Sequence, residues 1–173
     1  MLLKNTQKKM LKYTTSRVVF REIPDEITLA INISGCPIHC PDCHSKELWK
    51  DIGTNLSERA LNKLIVENPG ITCVAFMGGD NNPEEIKLLS KFIKINYPKL
   101  KIAWYSGRDI VPSDYFNYLN YLKLGPYISS KGPLDNPNTN QRLYKLSNMV
   151  VLTSEGKPMK LMEDITDKFW NKS

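Results

Sequence analysis

The sequence contains no apolar run approaching the roughly 18 residues that a membrane-spanning helix requires. Its N-terminus carries charges but neither an apolar core segment nor a small-residue cleavage site, so no secretory signal is expected. A cytoplasmic location without membrane association follows as an expectation. Cysteine is scarce, four in 173 residues. In a reducing compartment, clustered thiols point to metal or catalysis rather than to disulfides. A dense Lys/Arg run interleaved with aromatics is also missing, so nucleic acid is not an expected partner. The formal charge is nevertheless +6, an excess that can steer an acidic partner or a nucleotide-like ligand. The basic residues gather at Lys4, Lys8, Lys9 and Lys12 and otherwise scatter as on a solvated face. Paired carboxylates, a Ser/His/Asp set, a phosphate-cradling glycine loop, repeats and low-complexity tracts are all absent. With 41% hydrophobic and 24% charged residues, the chain reads as one globular domain.

What stands out is three cysteines within eight residues, in Gly35-Cys36-Pro37-Ile38-His39-Cys40-Pro41-Asp42-Cys43-His44. The spacing is C-x3-C-x2-C, and no fourth cysteine lies nearby. A 4Fe-4S cluster is normally held by four thiolates. Three leave one iron with an open position, as a catalytic metal requires. Other readings of the triplet exist. Zinc could take the three thiolates with His44 or His39 as fourth ligand. Cys40 to His44 also fits the C-x-x-C-H attachment motif of c-type haem, which is usually loaded outside the cytosol. A redox dithiol fits poorly with two prolines and a third cysteine. Cys73 sits far along the chain in an apolar stretch and reads as a small core residue.

Strand and helix signals alternate. Val18-Val19-Phe20 reads as a first strand, and Ile27 to Ile33 as a buried strand running into the cysteine loop. Ser57 opens a helix with Leu61, Leu64 and Ile65 on one face, stopped at Pro69-Gly70. Ile71 to Met77 is a second buried strand ended by Gly78-Gly79, and Pro83 starts a helix with Ile86, Leu89, Phe92 and Ile93 at helical spacing. Lys101 to Tyr105 and Tyr121 to Leu124 read as further strands, with a short helix capped by Ser113 or Asp114 between them and a fifth strand at Met149 to Leu152. Such alternation implies βαβ units and a parallel sheet. A complete eight-unit barrel typically needs about 250 residues, so this chain has room for five or six units. The expectation is an α/β fold, an open, partial (βα)5-6 barrel. Residues 1–16 form a basic arm, 17–154 the domain, and 155–173 a C-terminal extension made helical by Leu161, Ile165 and Phe169.

In such sheets ligands bind at the carboxyl ends of the strands. Cys36, Gly78, Ser106 and Lys123 all fall at or just past strand ends. Gly78-Gly79 would let backbone approach a ligand, and Asp80 could attract a cationic group. Ser106 and Arg108 offer a hydroxyl and a cation at the next strand end, although Arg108 also reads as a surface charge. Lys123 lies between Leu122 and Leu124; either a cofactor carboxylate or an edge strand would account for it. His39 and His44 read as packing or hydrogen-bonding residues of the cysteine loop. The loop from Gly125 to Asn140 is long for a compact domain, as functional loops often are.

These motifs carry a resemblance. C-x3-C-x2-C is the signature of the radical S-adenosylmethionine (SAM) superfamily. The series Gly-Cys-Pro-x-x-Cys-x-x-Cys-His, Gly-Gly-Asp, Trp-Tyr-Ser-Gly, Gly-Pro-Tyr and Thr139-Asn140-Gln141-Arg142 resembles the anaerobic ribonucleoside-triphosphate reductase activating proteins, over about residues 17 to 145. The resemblance implies the radical SAM partial barrel and a 4Fe-4S cluster on Cys36, Cys40 and Cys43. S-adenosyl-L-methionine would fill the open iron through its amino and carboxylate groups. Asp42, Cys43 and His44 would border the adenosine, Gly78-Gly79-Asp80 would meet the methionine amino group, and Ser106 and Lys123 would complete the cofactor site. One electron, from a reductant such as flavodoxin, would break the sulfonium bond. The 5′-deoxyadenosyl radical would then take hydrogen from a glycine on the large anaerobic ribonucleotide reductase subunit. Alternatives are activation of another glycyl-radical enzyme, or a non-catalytic zinc or iron–sulfur module. Asp42 stands where many superfamily members have an aromatic residue, and Tyr121 where related activases have an aspartate two residues before the lysine.

Overall fold

The computed structural model describes residues 9–152, 154–156 and 158–171. Strand β1 (Lys12–Val19) is followed by β2 (Thr28–Ile33), the short β3 (Thr54–Asn55), helix α1 (Glu58–Val66), β4 (Cys73–Met77), helix α2 (Pro83–Asn96), β5 (Lys101–Tyr105), β6 (Tyr121–Leu124), β7 (Arg142–Leu152) and β8 (Pro158–Asp164). They form one open sheet in the order β3-β1-β2-β4-β5-β6-β7-β8. Its middle, β2-β4-β5-β6, is parallel. The flanking strands β3, β1, β7 and β8 each pair antiparallel with their inner neighbours. The fold is therefore mixed α/β, and its parallel βα progression stops at β6. Among the described residues no helix is long and apolar enough to cross a membrane.

The helices form where capping and apolar spacing agree. Ser57 Oγ accepts the Ala60 N–H, and α1 buries Leu61, Leu64 and Ile65. Asn82 caps α2 with Pro83 in the first turn, and Ile86, Leu89 and Ile93 are buried. The expected helix at Ser113 is a six-residue 3₁₀ segment, Ser113–Tyr118, without a side-chain cap. Period-2 alternation then splits the sheet between two cores. Ile31, Ile33, Val74, Phe76, Ile102, Trp104 and Leu122 face the helices. Cys73, Ala75, Ala103, Tyr121 and Leu143 of β7 face the other way, where they pack with Ile23 and Ile165.

Three expectations at the ends of the chain need correction. β1 begins at Lys12, inside the expected basic arm, and stops before Phe20, which is 69% exposed. Its Tyr13 to Arg17 segment is polar and half-exposed, so it carries little apolar periodicity. Lys9 and Lys12 each pair with Asp51; Lys4 and Lys8 lie outside the described residues. The C-terminal extension is not a helix: Leu161 belongs to β8, and Ile165 and Phe169 fall at a 3₁₀ turn, Thr166–Phe169. Pairing with β7 overrides a helical spacing that rested on three side chains. The fifth expected strand, Met149 to Leu152, is the end of the much longer β7.

At the sheet's N-terminal end the buried Glu26 carboxylate ties four segments together. Thr72 Oγ1 donates to it at 2.7 Å and the Tyr121 hydroxyl at 2.8 Å, while Lys101 Nζ forms an ion pair with it. Burial pushes the Glu26 carboxyl up, but these three donors outweigh it and hold it below its usual range. Tyr121→Phe removes a hydrogen bond to a charged group, so we expect a loss of about 1.5–3 kcal/mol in thermal or denaturant unfolding. A group with a depressed folded pKa contributes stability above the ordinary carboxylate range and loses it as pH falls through the folded value. Glu26→Gln is therefore expected to flatten the acid limb of the stability curve; an unaltered acid transition would refute the assignment.

Candidate metal centre

The cysteine loop leaves β2 through Ser34, which is fully buried and donates to the Ile52 carbonyl at 2.5 Å. Gly35 follows at φ +76 and Cys36 bonds through its N–H to Leu48 O at 2.9 Å, so the entry is pinned by segment 48–52. His39 adopts φ +50 and stacks on Trp49 with ring centroids 4.7 Å apart, and Lys46 lies over the same indole. At the exit, the Ser45 N–H donates to Cys43 Sγ at 3.4 Å. Cys36, Cys40 and Cys43 are all partly exposed, whereas Cys73 is buried and its thiol is pushed up mainly by burial. From below, the end of β5 rises against the loop. A Cβ on Gly107 would lie 2.8 Å from Ile38 Cγ1, so only glycine allows that approach.

Beside the loop, Asp80, Ser106, Arg108 and Lys123 form one polar cluster at the carboxyl ends of β4, β5 and β6. Asp80 is 2% exposed and both its oxygens are engaged. Ser106 Oγ donates to Oδ1 at 2.5 Å, the Gly107 N–H donates to Oδ2 at 2.8 Å, and Arg108 Nε sits 3.5 Å from Oδ1. Arg108 also donates to the Asp80 carbonyl at 2.7 Å. The cation that Asp80 meets is thus Arg108, a residue its sequence context gave as a surface charge. Gly78 and Gly79, at φ +107 and +98, turn the chain toward this cluster.

Lys123 is not on an edge: β6 lies between β5 and β7. Its ammonium is buried and donates to Gly125 O at 2.6 Å and Ser106 O at 3.4 Å. Burial pushes it down to about 8, offset in part by Asp80, Cys40 and Cys36. A buried cation within electrostatic reach of two thiols suits a site that must carry negative charge.

The long loop from Gly125 to Asn140 closes over the other flank. Ser129 Oγ donates to Asp42 Oδ2 at 2.6 Å, and the Tyr127 ring meets His44 edge-on at 5.2 Å. The structure thus joins Asp80, Ser106, Arg108 and Lys123 in one cluster at the strand ends, and ties Asp42 and His44 of the cysteine loop to Ser129 and Tyr127. Tyr121 and Cys73 belong to the opposite end of the sheet. Tyr127 stands in the Gly-Pro-Tyr motif, but its contact with His44, like the Ser129–Asp42 and Asp80–Arg108 pairings, joins residues far apart in the chain and has no local sequence signal.

Among the described residues, no three His, Cys, Asp or Glu side chains converge on a single-ion site. A cubane distributes its thiolates over separate irons, and its potential depends on net charge and on hydrogen bonds to sulfur. Three accessible thiols, an N–H on Cys43 Sγ and the Lys123 cation fit such a cluster. A family model described as a 4Fe-4S single cluster domain matches residues 27–148, more than two thirds of the chain and the whole of this site. No curated protein and no solved structure matches. The chain belongs to that family and is an iron–sulfur protein.

Proposed function

We propose that this member of the 4Fe-4S single cluster family is a radical SAM enzyme, an activase that installs a glycyl radical on the large anaerobic ribonucleotide reductase subunit. One observation carries the reading. The fourth cysteine, Cys73, opens β4 in register with Thr28, at the end of the sheet opposite the cysteine loop. Four residue steps of strand, about 13 Å, separate it from the end of β4. No fourth cysteine therefore stands with the three of the loop, which in this reading leaves one iron for a ligand.

In this reading Cys36, Cys40 and Cys43 hold the cluster. A reduced cluster held there would supply the one electron that breaks the sulfonium bond of SAM, to give methionine and a 5′-deoxyadenosyl radical. The protein's part is to bind, orient and shield. Asp42 and His44, steadied by Ser129 and Tyr127, border the adenosine. The Gly78-Gly79-Asp80 turn and Ser106 form the rim that meets the methionine end, and Lys123 supplies positive charge beneath it. The open sheet is read as the partial barrel of the radical SAM type. The reductant is a one-electron carrier such as flavodoxin.

The deciding experiment is reductive cleavage. Anaerobically reconstituted and reduced protein, mixed with SAM, is expected to release methionine and 5′-deoxyadenosine in equal amounts. Intact SAM beside a fully loaded cluster would leave an iron–sulfur module and end the enzyme reading.

A further inference from the structure

Two flanks of the cysteine loop are taken. Asp80, Ser106, Arg108 and Lys123 stand along one, Tyr127 and Ser129 along the other. A third is made by the segment that follows Cys43. There the 3₁₀ turn Lys46–Trp49 folds back so that Leu48 O holds the Cys36 N–H, and the Trp49 indole lies against His39 at 4.7 Å, with 20° between the ring planes. His39 is exposed and immediately precedes Cys40, so the stacked pair leads from solvent to one of the three thiols. Lys46 Nζ lies 5.7 Å from the centre of the indole, and Lys50 is exposed at the end of the turn. Behind them Lys9 and Lys12 both pair with Asp51. Segment 46–51 and the lysines paired with it therefore set four cations against the carboxylates of Glu47 and Asp51 alone, and the flank is net positive.

We propose that this platform, the stacked His39 and Trp49 rimmed by Lys46 and Lys50, is the docking face for an acidic one-electron carrier protein. The proposal rests on the reading above in one respect, that an electron must reach the cluster. In that reading the other two flanks border the cofactor and the radical, from which water must be kept, so the carrier needs a separate approach. Electron transfer falls steeply with distance, and the exposed ring beside Cys40 is a short way in from solvent. Positive charge around an aromatic patch suits a carrier whose redox edge is ringed by carboxylates. Such charges draw the partner in and orient it, acting more on encounter than on residence. Lys46, held over the indole, keeps its charge at the platform. A single electron passes from the carrier, which is oxidised by one electron, to the cluster, which is reduced by one, and no bond forms or breaks.

The test is rapid-mixing reduction of cluster-loaded protein without oxygen and without SAM, using reduced flavodoxin, an acidic flavin protein, as the probe. The Lys46→Glu/Lys50→Glu protein is expected to be reduced about tenfold more slowly than the wild type at low salt. The difference should close near 1 M salt, where charges are screened beyond about 3 Å. Oxidised flavodoxin, which has no electron to give, should bind the variant less tightly in calorimetry. Photoreduced deazaflavin, small and uncharged, should reduce both proteins equally, and their iron contents should match. Lys46→Arg/Lys50→Arg should keep the wild-type rate. Lys91→Glu/Lys99→Glu makes the same change of total charge at exposed positions on α2 and in the turn before β5, and should stay close to the wild type. Equal slowing of the two glutamate variants would reduce the effect to net charge and overturn the inference, as would an unchanged rate in Lys46→Glu/Lys50→Glu. Lost iron or slowed deazaflavin reduction in that variant would make the platform structural and overturn it too. SAM is absent from the assay, so the two failures separate. Electron uptake at this face without any cleavage of SAM defeats the radical SAM reading alone; cleavage of SAM with reduction indifferent to salt and to these lysines defeats the docking face alone.

Discussion

Cys36→Ala, Cys40→Ala and Cys43→Ala proteins are each expected to emerge from anaerobic reconstitution without a stable cluster, while Cys73→Ala keeps it. The wild type should hold about four irons and four sulfides and show the brown colour of the cubane, lost on exposure to air. The contrast follows from where the thiols lie. Three are accessible on one loop, with a backbone donor on Cys43 Sγ; the fourth is sealed between Ala75 and Thr28 in the sheet's second core. Cys73→Ala removes one buried sulfur and should cost on the order of 1 kcal/mol, as moderate core truncations do. For a chain of this size that lowers Tm by about 2–4 °C per kcal/mol. Iron analysis, sulfide analysis and circular dichroism on the four variants decide the matter. A folded Cys73→Ala protein without iron would overturn the three-thiol assignment, and a colourless wild type holding one zinc would replace the cluster with a zinc site.

What the sequence exposed and what it hid divide along a physical line. Signals carried by neighbouring residues were legible. The cysteine spacing needs only eight residues; Ser57 and Asn82 cap their helices locally; the β2, β4, β5 and β6 segments declare themselves by short apolar runs between glycines. Long-range pairing was not legible. β1 and β8 lie outside the parallel core, and the side chains of β1 and of residues 160–164 are incompletely buried, so these stretches lack the apolar pattern that marks β4. Nothing near Tyr121 in the chain reveals that its hydroxyl meets Glu26, ninety-five residues away. Asp80 and Arg108 are twenty-eight residues apart and become neighbours only because β4 and β5 are adjacent and parallel. The polar site is thus a product of strand order acting on residues whose types were visible but whose partners were not.

That strand order also bears on the proposed partner. A cavity of about 500 Å³ is lined by Phe20, Glu22, Asp25, Tyr105, Leu134 and Phe169. Leu134 belongs to the same loop whose Tyr127 and Ser129 touch His44 and Asp42. The sheet ends in edge strands and does not close on itself. A radical must be kept from water and side reactions, and a protein segment inserted from outside would supply the missing wall. Glycine suits the tip of such a segment, since it brings a Cα–H close without a side chain in the way. Reduced protein, SAM and the large anaerobic ribonucleotide reductase subunit are therefore expected to yield a glycyl-radical doublet in electron paramagnetic resonance. The proposed reaction would pass one hydrogen atom from the glycine Cα to the 5′ carbon, so one 5′-deoxyadenosine should accumulate per radical formed. The signal should vanish in a partner whose glycine is replaced by alanine. Deoxyadenosine released without any doublet would reject this partner and redirect the search to another glycyl-radical protein.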